Sequence, residues 1–316
     1  MKRKYHKIVI ILASICLSSC SSNQGKVVGI TSKEQLMNMK NDLTAHYVLK
    51  EDIDLSDVEW TPIGDPDHPF TGSFDGNNKT IKNLTISKMT RFYGLFGYCE
   101  NASFKNCHFD GTNFSMGNNP ALAGFTYYIG NAVGLADNTS FENIVIDNFT
   151  SSCDRFTTPG SLYYDPEVTW TDTAKPFTGA ITGLATSTCS FSNCVNNSSF
   201  SGYSYIGGLI GASYHGERKA TLVLENCINN GTITNEFGRL NAEYASYEYY
   251  NYATGGLIGY TSSDVKLIDC KNNGNLIANN PLESKTADMF IGYICSNNCE
   301  IIYENCENTG QYIVIE

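Results

Sequence analysis

Apolar and polar positions alternate in short runs along most of this chain, bounded by Gly, Asn and Asp. Alternation with period two predicts short strands half-buried on one face. Helical spacing shows in one place only, Ser32 to Lys40, where Ser32 is placed to cap a short amphipathic turn.

The runs repeat. One phrase reads apolar, polar, Asn or Asp, Cys: Phe104-Lys105-Asn106-Cys107, Phe191-Ser192-Asn193-Cys194, Leu224-Glu225-Asn226-Cys227, Ile268-Asp269-Cys270 and Tyr303-Glu304-Asn305-Cys306. Phe141-Glu142-Asn143-Ile144 is the same phrase with Ile for Cys. Three copies run on into Asn229-Asn230-Gly231, Asn272-Asn273-Gly274 and Asn308-Thr309-Gly310. A glycine phrase precedes each copy: Gly94-Leu95-Phe96-Gly97, Gly134-Leu135, Gly183-Leu184, Gly208-Leu209-Ile210-Gly211, Gly256-Leu257-Ile258-Gly259 and Ile291-Gly292-Tyr293-Ile294. In this alignment the copies at 134 and 183 lack the final Gly. Successive anchors at 107, 144, 194, 227, 270 and 306 are separated by 37, 50, 33, 43 and 36 residues. A constant phrase with variable spacers means a constant cross-section with loop insertions.

The pattern predicts an all-β fold, a right-handed parallel β-helix of about six coils, each of about three short strands. Each coil buries its apolar face only against its neighbours. Equivalent residues then stack about 4.8 Å apart. The cysteines form an inward row of small buried hydrophobes, and Ile144 fits the same slot. Zinc needs ligands converging from four directions, which a row does not supply. Disulfides along the row need Cβ atoms nearer than one strand spacing. The Asn of each phrase is expected to build a side-chain ladder at the adjoining bend.

The glycine phrases resemble the GLUG motif of bacterial surface proteins. The stretch Phe70-Thr71-Gly72-Ser73-Phe74-Asp75-Gly76-Asn77-Asn78-Lys79-Thr80-Ile81-Lys82-Asn83-Leu84-Thr85-Ile86 resembles the segment that commonly precedes the first such motif, with Asp52-Ile53-Asp54-Leu55 and Pro62-Ile63-Gly64 upstream of it. The resemblance covers about residues 29 to 316. It implies a surface-displayed β-helix, found in adhesin-like proteins and beside the peptidase domain of some immunoglobulin-cleaving proteases. It does not itself imply catalysis.

The N-terminus has its own logic. MKRKYHK is a basic n-region, IVIILASICL a short apolar core, and Leu17-Ser18-Ser19-Cys20 resembles the lipobox of bacterial lipoproteins. The resemblance implies cleavage before Cys20, acyl chains on that residue and a membrane partner reached through lipid. Ser21 resembles an outer-membrane sorting signal. The expected organisation is a signal peptide at 1–19, lipidated Cys and tether at 20–28, an N-terminal cap and first coils at 29–92, and repeats at 93–316. Trp60 is expected to pack over the first coil and Tyr312 to Ile315 to finish the last.

Removing Lys2, Arg3, Lys4 and Lys7 takes the net charge from −11 to −15. So acidic a chain disfavours nucleic acid, which needs Lys and Arg at phosphates, and polyanionic sugars unless calcium mediates. The histidines, His6, His46, His68, His108 and His215, lack zinc-peptidase spacing, and no Gly-x-Ser-x-Gly elbow occurs. No catalytic residue and no cofactor is therefore assigned. Asp65, Asp67 and Asp75 are a candidate calcium cluster, though Gly64 to Pro69 and Asp75 to Asn78 also read as plain turns.

Two spacers are rich in aromatics: Tyr163, Tyr164 and Trp170 in one, Tyr244, Tyr247, Tyr249, Tyr250 and Tyr252 in the other. Insertions in solenoids project as loops, often from a binding face. Tyr offers a flat rigid surface with a polar tip, suited to a glycan or to a surface or host protein. The same alternation also suits a hairpin covering the flank. The expected function is a surface binding or adhesion module. A polysaccharide lyase or hydrolase is the alternative, and a structural envelope protein the third.

Overall fold

The computed structural model describes residues 26–115, 126–152, 175–202, 204–214, 221–236, 253–278, 288–295 and 299–314. Among these the strands form sheets of 14, 6, 5, 4 and 3 strands. Every recorded strand pair is parallel, and partners come from successive coils, for example Phe104 with Phe141 and Phe141 with Phe191. The chain is a parallel β-helix.

One coil shows the plan. Tyr205–Gly207 lies in the five-stranded sheet and Ile210–Tyr214 in the six-stranded sheet. Thr221–Glu225 and Ile228–Asn229 both lie in the fourteen-stranded sheet, and Ile233–Asn235 lies in the four-stranded one. A coil thus has five short strands rather than about three. Two local devices break the faces. A glycine turn separates the first two strands, and a left-handed residue splits the long face. Asn106, Asn143, Asn193, Asn226, Asp269 and Asn305 all have φ between 51° and 54°. Asn and Asp tolerate that region best among side chains with a Cβ.

The six strands of the six-stranded sheet match the six expected coils. The long sheet reaches further toward the N-terminus through Val27–Ile30, His46–Leu49 and Ser73–Lys82. The helix Lys33–Met37 joins the first two of these strands, and Ser32 caps it, accepting from Gln35 N at 3.4 Å. Leu36 and Met39 enter the common core. Trp60 is buried, and its Nε1 donates to Leu95 O at 3.0 Å.

Inside, equivalent residues stack in rows. Phe104, Phe141 and Phe191 lie nearly parallel, with ring centroids 5.3 and 4.7 Å apart. Cys107, Ile144, Cys194, Cys227 and Cys270 fill one buried slot on successive coils, and the cysteines are free thiols. Cys306, at the last described rung, is only half-buried.

Two further expectations are corrected. Val133 pairs with Phe96 and Thr182 with Val133, so Gly134 and Gly183 sit opposite Gly97. They are the final glycines of their phrases, and the first glycine is replaced by Asn131 and Ala180. Leu135 and Leu184 lie one residue beyond and point outward. The Asn ladder is also displaced. The phrase Asn bonds run Asn143 to Asn106 to Asp75. The long ladders lie further along: Asn196, Asn229, Asn272 and Asn308 inside, and Asn197, Asn230, Asn273 and Thr309 outside.

Candidate ligand-binding face

The glycine turn builds an outer corner between the five- and six-stranded sheets. A Cβ at Gly211 would lie 2.6 Å from Thr178 N, and one at Gly183 2.2 Å from Ile129 N. Only hydrogen fits there, so the two sheets close tightly. Apolar side chains on their outer surfaces then meet outside the main core.

Those side chains form a second, separate cluster. From the five-stranded sheet come Phe92, Tyr128, Phe177, Tyr205 and Ala253, each in register with the next. From the six-stranded sheet come Tyr98, Leu135, Leu184, Ala212, Tyr260 and Tyr293, again in register. Phe92 stacks on Tyr128 at 5.5 Å, Phe177 meets Tyr205 at 4.9 Å, and Tyr205 stacks on Tyr260 at 4.4 Å. Phe177, Tyr205 and Tyr260 are nearly covered, while Phe92, Tyr98, Tyr128 and Leu135 are half-exposed. The ladder is accessible at its N-terminal end.

That end carries polar groups. Glu100 and Asp137 are register partners on adjacent coils, one step beyond Tyr98 and Leu135. Asp137 Oδ1 is buried and has no hydrogen-bond partner. The Arg91 guanidinium carbon lies 5.9 Å from the Phe92 ring centroid. Burial holds the Tyr98 phenol above its usual pKa, and the charges of Asp137 and Glu100 add to the effect. Burial also raises Tyr128, with Arg91 opposing. Both tips therefore stay neutral hydroxyls.

The residues singled out from the sequence fall differently. Cys20 and the spacer aromatics Tyr163, Tyr164, Trp170, Tyr244, Tyr247, Tyr249, Tyr250 and Tyr252 lie outside the described residues. Asp65 Oδ1 accepts from Asp67 N and His68 N at 2.9 and 2.8 Å, a self-capped turn. Asp75 accepts from Asn77 N and Asn106 Nδ2 and faces Lys105 at 3.5 Å. Among the described residues no group of three or more His, Cys, Asp or Glu side chains could hold a metal ion. The three aspartates are not gathered into a calcium site.

The outer ladder was missed in the sequence, yet a signal exists. An aromatic stands two residues before a glycine in Phe92-Tyr93-Gly94, Tyr128-Ile129-Gly130, Phe177-Thr178-Gly179 and Tyr205-Ile206-Gly207. The spacers before these strands vary in length and hide the repeat.

A second arrangement was also unforeseen. Thr80 Oγ1 lies 3.2 Å from His108 Nδ1, and His108 Nε2 lies 2.6 Å from Asp147 Oδ2. Asn197 donates to Asp147 Oδ1 at 2.9 Å. The order is that of nucleophile, base and orienter. Acyl transfer also needs donors aimed at a developing oxyanion. These side chains stand on the outer face of the long sheet, whose strands are paired on both sides here. The row acts as a tie across coils.

No protein-family model matches this chain, and no curated protein matches it. Among solved structures it is similar to a crystal structure described as "a putative immunoglobulin A1 protease from Bacteroides ovatus". The TM-score is 0.59 at 18% identity, over 92% of this chain and 79% of the other. At that identity the likeness speaks for the fold alone.

Proposed function

We propose that this chain is an exported, lipid-anchored binding or adhesion module of the cell envelope, held at Cys20. One observation carries the reading: the outer corner bears a continuous aromatic ladder beside the points where the insertions attach. Spacers 116–125, 153–174 and 237–252 each run from a strand of the small sheets to the next strand of the five-stranded sheet. Variable loops on a rigid frame are where binding residues concentrate. The lipobox supports the anchor.

The test is an array of polysaccharides and glycoproteins probed with the full chain and with a Tyr247, Tyr249, Tyr250 to Ala variant. Binding that the variant weakens supports recognition through the loops. Absence of any binding removes the adhesion reading and leaves a structural envelope role.

A carbohydrate-active enzyme is the second reading, favoured by the Glu100 and Asp137 pairing. Register partners one strand spacing apart place two carboxylates side by side on one surface, the pair of residue types that glycoside hydrolysis uses. Reducing ends released from arrayed glycans, and lost in Glu100→Gln, would put this reading first.

A further inference from the structure

We infer that the open N-terminal end of the outer aromatic ladder, at Phe92, Tyr98 and Tyr128, is a platform for a short neutral glycan, with Asp137 accepting one of its hydroxyls. This deepens the binding role proposed above and rests on it.

The shape comes first. Phe92 and Tyr128 stand in register on successive coils with Tyr98 beside them, an open shelf of rings, while Phe177 and Tyr205 continue the row under cover. Two like rings one coil apart suit a ligand made of successive like units. A sugar ring offers an apolar C–H face to an aromatic ring and hydroxyls at its rim. Tyrosine matches both, with a flat body and a polar tip. Contact is confined to the half-exposed trio Phe92, Tyr98 and Tyr128.

Polar chemistry selects within that class. Asp137 is half-exposed as a residue, with Oδ1 on its covered side, so the carboxylate meets solvent at its other edge. A ligand hydroxyl can donate to that open edge. Glu100, beside it in register, doubles the local negative charge. Two carboxylates repel uronates and sulfated sugars, so the glycan is uncharged. An extended peptide is a poorer fit, because peptides add to unpaired sheet edges. The strands Thr126–Ile129 and Val133–Asp137 are interior, each paired on both sides.

The experiment is affinity electrophoresis of the full chain in mild detergent through gels holding soluble glucan, mannan or xylan, with polygalacturonate as the anionic comparison. At least one neutral polymer is expected to retard the protein and polygalacturonate is not. Tyr128→Ala and Asp137→Asn are each expected to weaken binding about tenfold or more, given one stacked ring or one charged hydrogen bond. Tyr128→Phe keeps the ring and is expected to stay within about threefold, since stacking dominates. Tyr303→Ala, on the long sheet, is expected to change nothing. Melting curves establish that each variant is folded. Retardation by neutral glycan that survives both Tyr128→Ala and Asp137→Asn would overturn the site but keep the binding role. Binding of an arrayed protein with no neutral glycan bound would overturn the ligand class alone. No ligand of either kind would take down both.

Discussion

Cys194, Cys227 and Cys270 each donate a weak hydrogen bond to the carbonyl two residues earlier, at 3.4, 3.5 and 3.3 Å. The left-handed Asn or Asp between them turns that carbonyl toward the thiol. The slot therefore wants a small hydrophobe and also rewards a thiol. Its apolar character was legible from Ile144 standing among the cysteines, but the carbonyl bond was not, since it depends on backbone torsion. Burial pushes the Cys107 and Cys189 thiols up to about 12 from an ordinary 9.0. A neutral thiol in the folded state that ionises once unfolded stabilises fully below pH 9 and loses that contribution as pH climbs toward 12. At pH 11 the loss is about 3 kcal/mol for each of these two groups. The double variant Cys107→Val, Cys189→Val should resist alkaline unfolding to higher pH, followed by circular dichroism; equal midpoints would refute the account. Native labelling at pH 8 should modify exposed Cys295 long before Cys107, Cys227 or Cys270, whose buried thiolates are scarce. Peptide mass spectrometry reads the order, and early loss of Cys227 would contradict it.

At the scale of the element, the glycine turn and the amide ladders hold one coil to the next. Gly211→Ala forces a Cβ onto the Thr178 and Gly183 backbones and should cost about 3 kcal/mol. Gly29→Ala meets only the flexible Lys50 side chain and should stay within about 0.5 kcal/mol. Urea titration of both checks the contrast. Asn229 is fully buried and bonded to Asn196, Asn272 and Gly231, so Asn229→Ala should cost about 3 kcal/mol or more. Asn230→Ala, on the exposed ladder, should cost under about 1 kcal/mol. Equal costs for the two would show that burial is not what matters. The repeat itself was plain in the sequence, because identical slots demand identical residues. Its register was not. Gly134-Leu135 looks like the start of a glycine phrase, but hydrogen bonding places Gly134 opposite Gly97 and sends Leu135 outward. Likeness of letters chose a frame three residues off, an odd shift, which exchanges the two faces of a strand. The same slip hid the outer ladder, since Leu135 and Leu184 belong to that surface and not to the core.

Across the whole molecule each coil touches only its neighbours, so stability should grade along the axis. Ile302, Tyr303 and Val314, in the last described rung, are among the most exposed large hydrophobics. Amide exchange there should be faster than in Ser103–Asp110 and Ser140–Asp147, which are paired on both sides. Uniform protection from end to end would instead indicate a single cooperative unit. The two Asn ladders carry one more consequence. Each Nδ2 of the inner row points to the next coil, from Asn196 to Asn229 to Asn272 to Asn308. Each donor of the outer row points back, from Thr309 to Asn273 to Asn230 to Asn197 to Asp147. Aligned amide dipoles add along a row, so the inner and outer rows are two polar wires laid side by side with opposite sense. Their far fields oppose one another, and a longer stack of such coils would accumulate little axial polarisation from these side chains. The outer wire alone is grounded, its positive end meeting the Asp147 carboxylate.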